Sequence, residues 1–80
     1  MERKKKKMYK VYFENRYKER IFLDCVKTEE GIYSVIKRDI KMRAQPSFQW
    51  HYTRSWTRDN GEIVMDVGSH VEFYIAVPVT

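Results

Sequence analysis

The sequence has few of the residues that build disulfide-stapled or membrane-spanning proteins. Its single cysteine, Cys25, cannot form a disulfide within the chain, and small secreted domains usually carry several cysteine pairs. The longest uncharged run, residues 44–53, is about half as long as a membrane-spanning helix requires. Lys10 and Glu14 interrupt the apolar stretch that a signal peptide would need. We therefore expect a cytoplasmic protein without a membrane partner, in which Cys25 is a small apolar core residue.

Histidine and glycine are also scarce. The two histidines, His51 and His70, lack the close spacing of metal-ligand pairs, so we expect no metal site. Three glycines are scattered along the chain and form no phosphate-binding loop. Ser69 precedes His70 but matches no nucleophile motif. These absences predict a protein that is not an enzyme and that uses no cofactor.

The positive charge of the chain is concentrated at its N-terminus. The net charge is +5, from 16 basic and 11 acidic residues. Residues 1–7 contain five of the basic residues and one of the acids, so residues 8–80 carry only +1. Like charges in a run repel each other and stay solvated. The sequence therefore predicts a flexible basic arm over residues 1–7 and a single, nearly neutral domain over residues 8–80. The basic residues of the arm are Arg3, Lys4, Lys5, Lys6 and Lys7.

The first half of the domain is predicted to form a hairpin followed by a helix. Residues 8–14 and 18–26 alternate in the two-residue period of strands, on either side of a short polar turn. Thr28 is a predicted helix N-cap, before two glutamates that suit the positive end of the helix dipole. Pro46 requires this helix to end by about Met42 or Arg43. Apolar residues at helical spacing mark its buried side: Ile32, Val35, Ile36 and Ile40.

Three more strands are predicted after the helix. They cover residues 48–57, 62–67 and 71–77, and Pro78 is expected to end the last one. Asn60-Gly61 predicts a tight hairpin between the first two, because both residues tolerate positive φ. The order β-β-α-β-β-β indicates an α+β fold in which one helix packs on one face of a five-stranded, mostly antiparallel sheet.

A single helix cannot cover both faces of such a sheet, so the second face is expected to be solvated or to contact a partner. Alternation places Val71, Phe73, Ile75 and Val77 towards the core. It assigns these residues to the second face: Tyr12, Phe22, Val26, Val64 and Tyr74, beside Lys10, Asp24, Asp66 and Glu72. The candidate partner-binding residues are Tyr12, Phe22 and Tyr74 on the sheet, with Lys37, Arg38 and Lys41 on the helix. Self-association through the same surface would give a homodimer instead of a monomer.

Nucleic-acid binding is the alternative hypothesis. Sheet aromatics such as Trp50, Tyr52 and Trp56 can stack bases, and Arg54 or the arm residues Arg3–Lys7 can contact phosphates. Against this, the domain itself is nearly neutral and contains no RNA-recognition consensus. The pattern therefore favours protein binding over nucleic-acid binding.

The stretch from Trp56 to Ile75, with its Asp59-Asn60-Gly61 turn and its Asp66-Val67-Gly68-Ser69-His70 connection, resembles a known group of proteins. It is similar to the C-terminal hairpin of small uncharacterised proteins from phages and integrative elements of Gram-positive bacteria. The resemblance covers about a quarter of the chain and assigns no functional residues. It implies an accessory protein that binds and inhibits or modulates a bacterial host protein, such as a defence factor of the CRISPR nuclease type, in the host cytoplasm.

Overall fold

The computed structural model describes residues 8–43, 54–68 and 71–79. These ranges contain five strands and one helix in the predicted order, which confirms the α+β prediction. The elements are β1 Met8–Glu14, β2 Arg20–Val26, α1 Glu29–Arg43, β3 Arg54–Thr57, β4 Ile63–Asp66 and β5 Phe73–Val79. The predicted arm 1–7, the helix-ending Pro46, both histidines and the predicted strand residues 48–53 lie outside the described ranges.

The strands form one sheet in the order β2-β1-β5-β4-β3, and every neighbouring pair is antiparallel. The first and last strands therefore lie side by side in the middle of the sheet. The hairpin partners β2 and β3 form its two edges. Because β1 and β5 pair along their whole length, from Met8 with Val79 to Glu14 with Phe73, they are the frame that holds the other elements.

The helix begins at the predicted cap and packs closely on the edge strand β2. Thr28 Oγ1 accepts a hydrogen bond of 3.0 Å from the Gly31 N–H, which satisfies one of the free donors of the first turn. A Cβ atom at Gly31 would lie 2.8 Å from Val26 Cβ. Glycine lowers helix propensity at this position, but it allows the helix to approach β2 more closely than any other residue would.

The main core lies between the helix and one face of the sheet. Ile32, Val35 and Ile36 of the helix are buried, as predicted, and Ile40 packs at the margin. The sheet residues that meet them are buried as well: Tyr9, Val11 and Phe13 from β1, Met65 from β4, Val67 after it, and Tyr74 and Ala76 from β5. The burial of these large apolar side chains is the dominant stabilising contribution to the fold.

A buried polar cluster joins the end of the helix to the central strands. The Tyr74 hydroxyl donates a 2.6 Å hydrogen bond to Asp39 Oδ2, which also accepts a hydrogen bond from Arg43 Nε. The Arg43 guanidinium lies 3.8 Å from the centre of the Phe13 ring. Burial raises the pKa of the Tyr74 hydroxyl well above its usual value, and the neighbouring Asp39 adds to this shift. Asp39, which the apolar periodicity does not single out, thus becomes a fixed part of the core.

The prediction of which β5 residues face the helix was wrong. Tyr74 and Ala76 belong to the main core, whereas Phe73, Ile75 and Val77 alternate with them and lie on the opposite face. Every residue from Phe73 to Val77 is apolar or aromatic, so alternation cannot distinguish the two faces of this central strand. Pro78 was expected to end β5 but lies within it, beyond Ala76, the last residue paired with β4.

An irregularity in β2 changes the predicted face of three more residues. Val11 pairs with Asp24 and Tyr12 pairs with Phe22, so Leu23 is an extra residue and the register shifts there. Beyond the bulge, Val26 packs against the main core and Cys25 pairs with Lys10 on the second face. Val26 and Asp24 therefore lie on the helix side, contrary to prediction, because a bulge inverts strict alternation.

Both hairpin turns use the same backbone hydrogen bonds, but only one has the expected glycine. In the predicted turn, Arg58 N–H bonds to Glu62 O and Gly61 N–H to Arg58 O, and Gly61 has φ of 89°. In the β1–β2 turn, Asn15 and Lys18 make the equivalent bonds, and Lys18 has φ of 68°. Lys18 thus occupies a left-handed position that disfavours side chains with a Cβ atom.

Lys18→Gly is expected to raise the free energy of unfolding by about 0.5–1 kcal/mol, because glycine adopts positive φ without the steric cost that lysine pays. Chemical denaturation at neutral pH measures the change. The matched control is Gly61→Lys, which should destabilise the protein, since a Cβ atom there would also lie 3.2 Å from Pro78 Cγ. A destabilised Lys18→Gly variant would contradict this account of the turn.

Tyr74→Phe is expected to lower the free energy of unfolding by about 2 kcal/mol, because it removes a buried hydrogen bond to a charged acceptor. Thermal or urea denaturation provides the measurement. Tyr17→Phe changes a side chain that is 76% exposed and should alter stability by less than about 0.5 kcal/mol. Equal effects of the two substitutions would show that the Asp39–Tyr74 bond contributes nothing.

Candidate functional site

The sheet face opposite the helix carries a continuous apolar row across all five strands. The pairing register places these residues next to one another, in order from β3 to β2: Trp56, Val64, Ile75, Tyr12 and Phe22. Four strand spacings make the row about 19 Å long on a flat sheet. We call it the apolar row.

The apolar row is buried in the middle and open at both ends. Val64 and Ile75 are fully buried, whereas Trp56 is 45% and Phe22 is 55% exposed. Each exposed ring is supported by a neighbour: Trp56 meets Phe73 at 6.0 Å and Phe22 meets Tyr12 at 5.6 Å, both edge to face. Two aromatic side chains are thus held in fixed positions at opposite edges of the sheet and remain accessible.

Rows of charged residues lie on both sides of the apolar row. On one side, Arg54 bonds to Asp66 at 3.3 Å and Arg20 bonds to Glu14 at 3.2 Å. On the other side, Arg58 bonds to Glu62 at 3.1 Å in the β3–β4 turn. The arginines lie on the edge strands or in a turn, and the carboxylates lie further towards the centre of the sheet. The second face is therefore amphipathic, with an apolar centre line between charged borders.

One ion pair crosses the apolar row and connects its two borders. Both terminal nitrogens of Arg20 donate to the two oxygens of Glu62, each at 3.1 Å. Arg20 begins the edge strand β2, whereas Glu62 directly precedes β4, with β1 and β5 between them. The register places this connection over Tyr12 and Ile75. Arg20 and Glu62 therefore lie at diagonal positions of the sheet, and only a strong twist brings such positions together. The bulge in β2 increases that twist.

The Arg20–Glu62 bridge also determines the electrostatics of the second face. Hydrogen bonds from Arg20 hold the pKa of the Glu62 carboxyl below its usual range, against the opposing effect of burial. The side chain of Glu62 is 13% exposed and that of Glu14 is 7% exposed, so the arginine covers both carboxylates. The bidentate geometry fixes the guanidinium in one plane.

The structure brings together only part of the predicted partner-binding surface. Tyr12 and Phe22 lie on the second face and contact each other, in agreement with the predicted face assignment. Tyr74 does not lie there: it is completely buried on the helix side, bonded to Asp39. The basic residues Lys37, Arg38 and Lys41 are exposed on the helix, across the sheet from Tyr12 and Phe22. Arg38 also bonds to Asp24 at 3.3 Å, so these cations form a separate surface.

The nucleic-acid candidates are divided between described and undescribed residues. Arg54 borders the apolar row, two residues before Trp56, and its guanidinium is bonded to Asp66. The arm residues Arg3–Lys7 and the aromatics Trp50 and Tyr52 lie outside the described ranges. Sequence reasoning missed Arg20 and Glu62, because 42 positions separate them and no local pattern indicates the contact.

Within the described ranges, no group of three or more histidine, cysteine, aspartate or glutamate side chains is arranged to hold a metal ion. In those same ranges, the helix is too short and too polar to cross a membrane. Comparisons of the chain with protein families, curated proteins and solved structures found no match.

Glu62→Gln is expected to destabilise the protein by about 1 kcal/mol at pH 7, because it removes the charge that holds Arg20. The pKa of Glu62 is lowered on folding, so its stabilising effect exists above the unfolded-state pKa of about 4.3 and is lost as pH falls through the folded-state value. The difference in the free energy of unfolding between wild type and Glu62→Gln should therefore become smaller below about pH 4. Urea denaturation at several pH values tests this.

Asp59→Asn is the control for this titration, since Asp59 is an exposed carboxylate of the same turn that takes no part in the Arg20–Glu62 bridge. Its free energy of unfolding at pH 7 should differ much less from that of wild type than the value for Glu62→Gln does. A difference in the free energy of unfolding between wild type and Glu62→Gln that stays constant from pH 7 to pH 3 would contradict an ionic role for Glu62.

Proposed function

We propose that this chain is a non-enzymatic protein-binding module and that its contact surface is the second face of the sheet. The observation that carries the proposal is the apolar row, with Trp56 and Phe22 exposed at opposite ends. Accessible aromatic side chains fixed by their neighbours are typical anchors of protein interfaces. The charged borders supply the polar rim that such interfaces have.

The dimensions of the second face support a contact with a protein. The exposed ends of the apolar row, Trp56 and Phe22, lie about 19 Å apart on a flat sheet, a distance that an extended segment of about six residues or the side of a helix can span. Phe22 also lies on the outer strand β2, next to Ile21, which is 46% exposed. Ile21 pairs with Phe13 and lies on the helix side, whereas Phe22 brings the apolar row to the edge of the sheet, where backbone groups are available to a partner strand.

The bound protein is proposed to be a bacterial host protein that this chain inhibits or modulates stoichiometrically. The support for this part is the resemblance of residues 56–75 to proteins of phages and integrative elements of Gram-positive bacteria. A small domain can inhibit a larger protein by occupying its surface, and a rigid face with two aromatic anchors suits that role. A defence factor such as a CRISPR nuclease belongs to this class of target.

The second face supports nucleic-acid binding less well. Arg20, Arg54 and Arg58 lie on different sides of the apolar row and alternate with carboxylates, so they form no continuous basic stripe that could follow a phosphate backbone. The rings of Trp56 and Phe73 meet at 78° and those of Tyr12 and Phe22 at 68°. Such pairs do not present parallel platforms for successive bases.

A second copy of the chain is a further possible occupant, which sedimentation distinguishes.

Replacing Phe22 and Trp56 together by serine tests the proposed surface. Immobilised wild-type protein is expected to retain a bacterial protein in stoichiometric amount from a nuclease-treated Gram-positive lysate. The double variant should lose about tenfold or more of that affinity, because each aromatic anchor contributes about 1 kcal/mol or more to an interface. Titration of the purified retained protein gives the affinities.

The matched control is Met42→Ser, which removes a side chain that is 75% exposed on the helix, across the sheet from the apolar row. It should bind like wild type, and circular dichroism should show the same fold for all three proteins. Retention that is lost equally in the control, or no retained protein at all, would contradict the proposed function. So would binding only to a nucleic acid that the nuclease removes.

A further inference from the structure

The charges of the second face are arranged in two layers. The carboxylate side chains of Asp66, Glu14 and Glu62 are only 3%, 7% and 13% exposed. The guanidinium side chains bonded to them are more accessible: 68% for Arg54, 41% for Arg58 and 32% for Arg20. Although positive and negative groups nearly balance in number, solvent meets mainly the positive ones.

The buried carboxylates hold the arginines in fixed positions. Asp66 accepts from Arg54 and, through its other oxygen, from the Gly68 N–H at 2.9 Å. Glu62 accepts from both Arg20 and Arg58. Each guanidinium has five N–H donors, and these bonds use only some of them. The remaining donors, already oriented, lie at the surface beside Trp56 and Phe22, so a ligand need not immobilise the side chains itself.

From this layering we infer that the segment bound by the second face is acidic, with carboxylates beside its apolar anchors. The inference rests on the proposed function and specifies the chemistry of its partner. Carboxylates of the partner bond to the outward donors of Arg54, Arg58 and Arg20, and its apolar side chains contact Trp56 and Phe22. Charge-assisted bonds between arginine and carboxylate are among the stronger polar contacts available to an interface.

The alternation of charged and apolar rows constrains the partner further. Charged residues flank the apolar row on both sides, and the register through Val77 places exposed Lys10 on the same side as Glu62. A partner that crosses the sheet must therefore place its acidic residues on both sides of its apolar ones. A polyanion without apolar groups would satisfy the arginines and leave the apolar row without a contact.

The probe is a pool of peptides of about ten residues in which glutamate or aspartate flanks apolar residues. The matched pool carries lysine or arginine in place of the acids, and a thymidine oligonucleotide is the third ligand. Nuclear magnetic resonance titration of the full chain follows the arginine side-chain N–H groups and the Trp56 indole N–H. The acidic pool is expected to shift the signals of Arg54 and Trp56, with affinity that falls as salt is added.

Arg54→Gln should weaken binding of the acidic pool about fivefold to tenfold, whereas Arg38→Gln should leave it unchanged. Arg38 is a matched control because it is also exposed and bonded to a carboxylate, Asp24, but lies on the helix. Equal binding of the acidic and basic pools, an unchanged affinity in Arg54→Gln, or binding of the oligonucleotide alone would each overturn the inference.

Lysate capture separates this inference from the proposed function. If retention of a bacterial protein requires Phe22 and Trp56 but is indifferent to salt and to Arg54→Gln, the second face binds protein and the acidic partner is wrong. If retention is lost in Arg54→Gln and the acidic pool elutes the retained protein, both hold. If no protein is retained, the proposed function fails, and binding of the acidic pool would remain as a property of the surface alone.

Discussion

The double hydrogen bond between Arg20 and Glu62 is the constraint on which the second face depends. It connects the edge strand β2 to a residue beside β4, beyond the two intervening strands β1 and β5. It can form only if the sheet twists and brings Arg20 and Glu62 together. Once formed, it connects the two borders of the apolar row through the nearly buried carboxylates of Glu14 and Glu62.

The two faces of the sheet bury their apolar residues in different ways. The helix face is a conventional apolar core, with one buried polar cluster at Asp39, Tyr74 and Arg43 that determines where the end of the helix lies. The second face has no helix above it among the described residues. There, arginine side chains are bonded to less exposed carboxylates and present their charge to solvent. The exposed rings of the apolar row, Phe22 and Trp56, lie on the two edge strands, and they are the anchors of the proposed contact.

Much of the fold could be predicted from sequence, because its elements have strong local signals. The Thr28 cap, the helical spacing of Ile32, Val35 and Ile36, and the Asn60-Gly61 turn each identify one element. The face assignments of β2 and β5 could not be predicted. A bulge at Leu23 inverts alternation in one strand, and the other is apolar on both faces because it lies in the middle of the sheet. Tyr74 was misplaced for that reason alone. The Arg20–Glu62 bridge joins positions 42 residues apart, so it depends on sheet order and twist, which no local pattern contains.

The central claim is that the second face, and not the helix surface, contacts a protein. Photo-crosslinking in living Gram-positive bacteria tests it most directly, with benzoylphenylalanine placed at Phe22 or Trp56 in one set of proteins and at Met42 in another. The account predicts one shared bacterial protein crosslinked from Phe22 and Trp56 and absent from Met42. Crosslinking of that protein from Met42 alone, or of no protein from either edge of the apolar row, would contradict it.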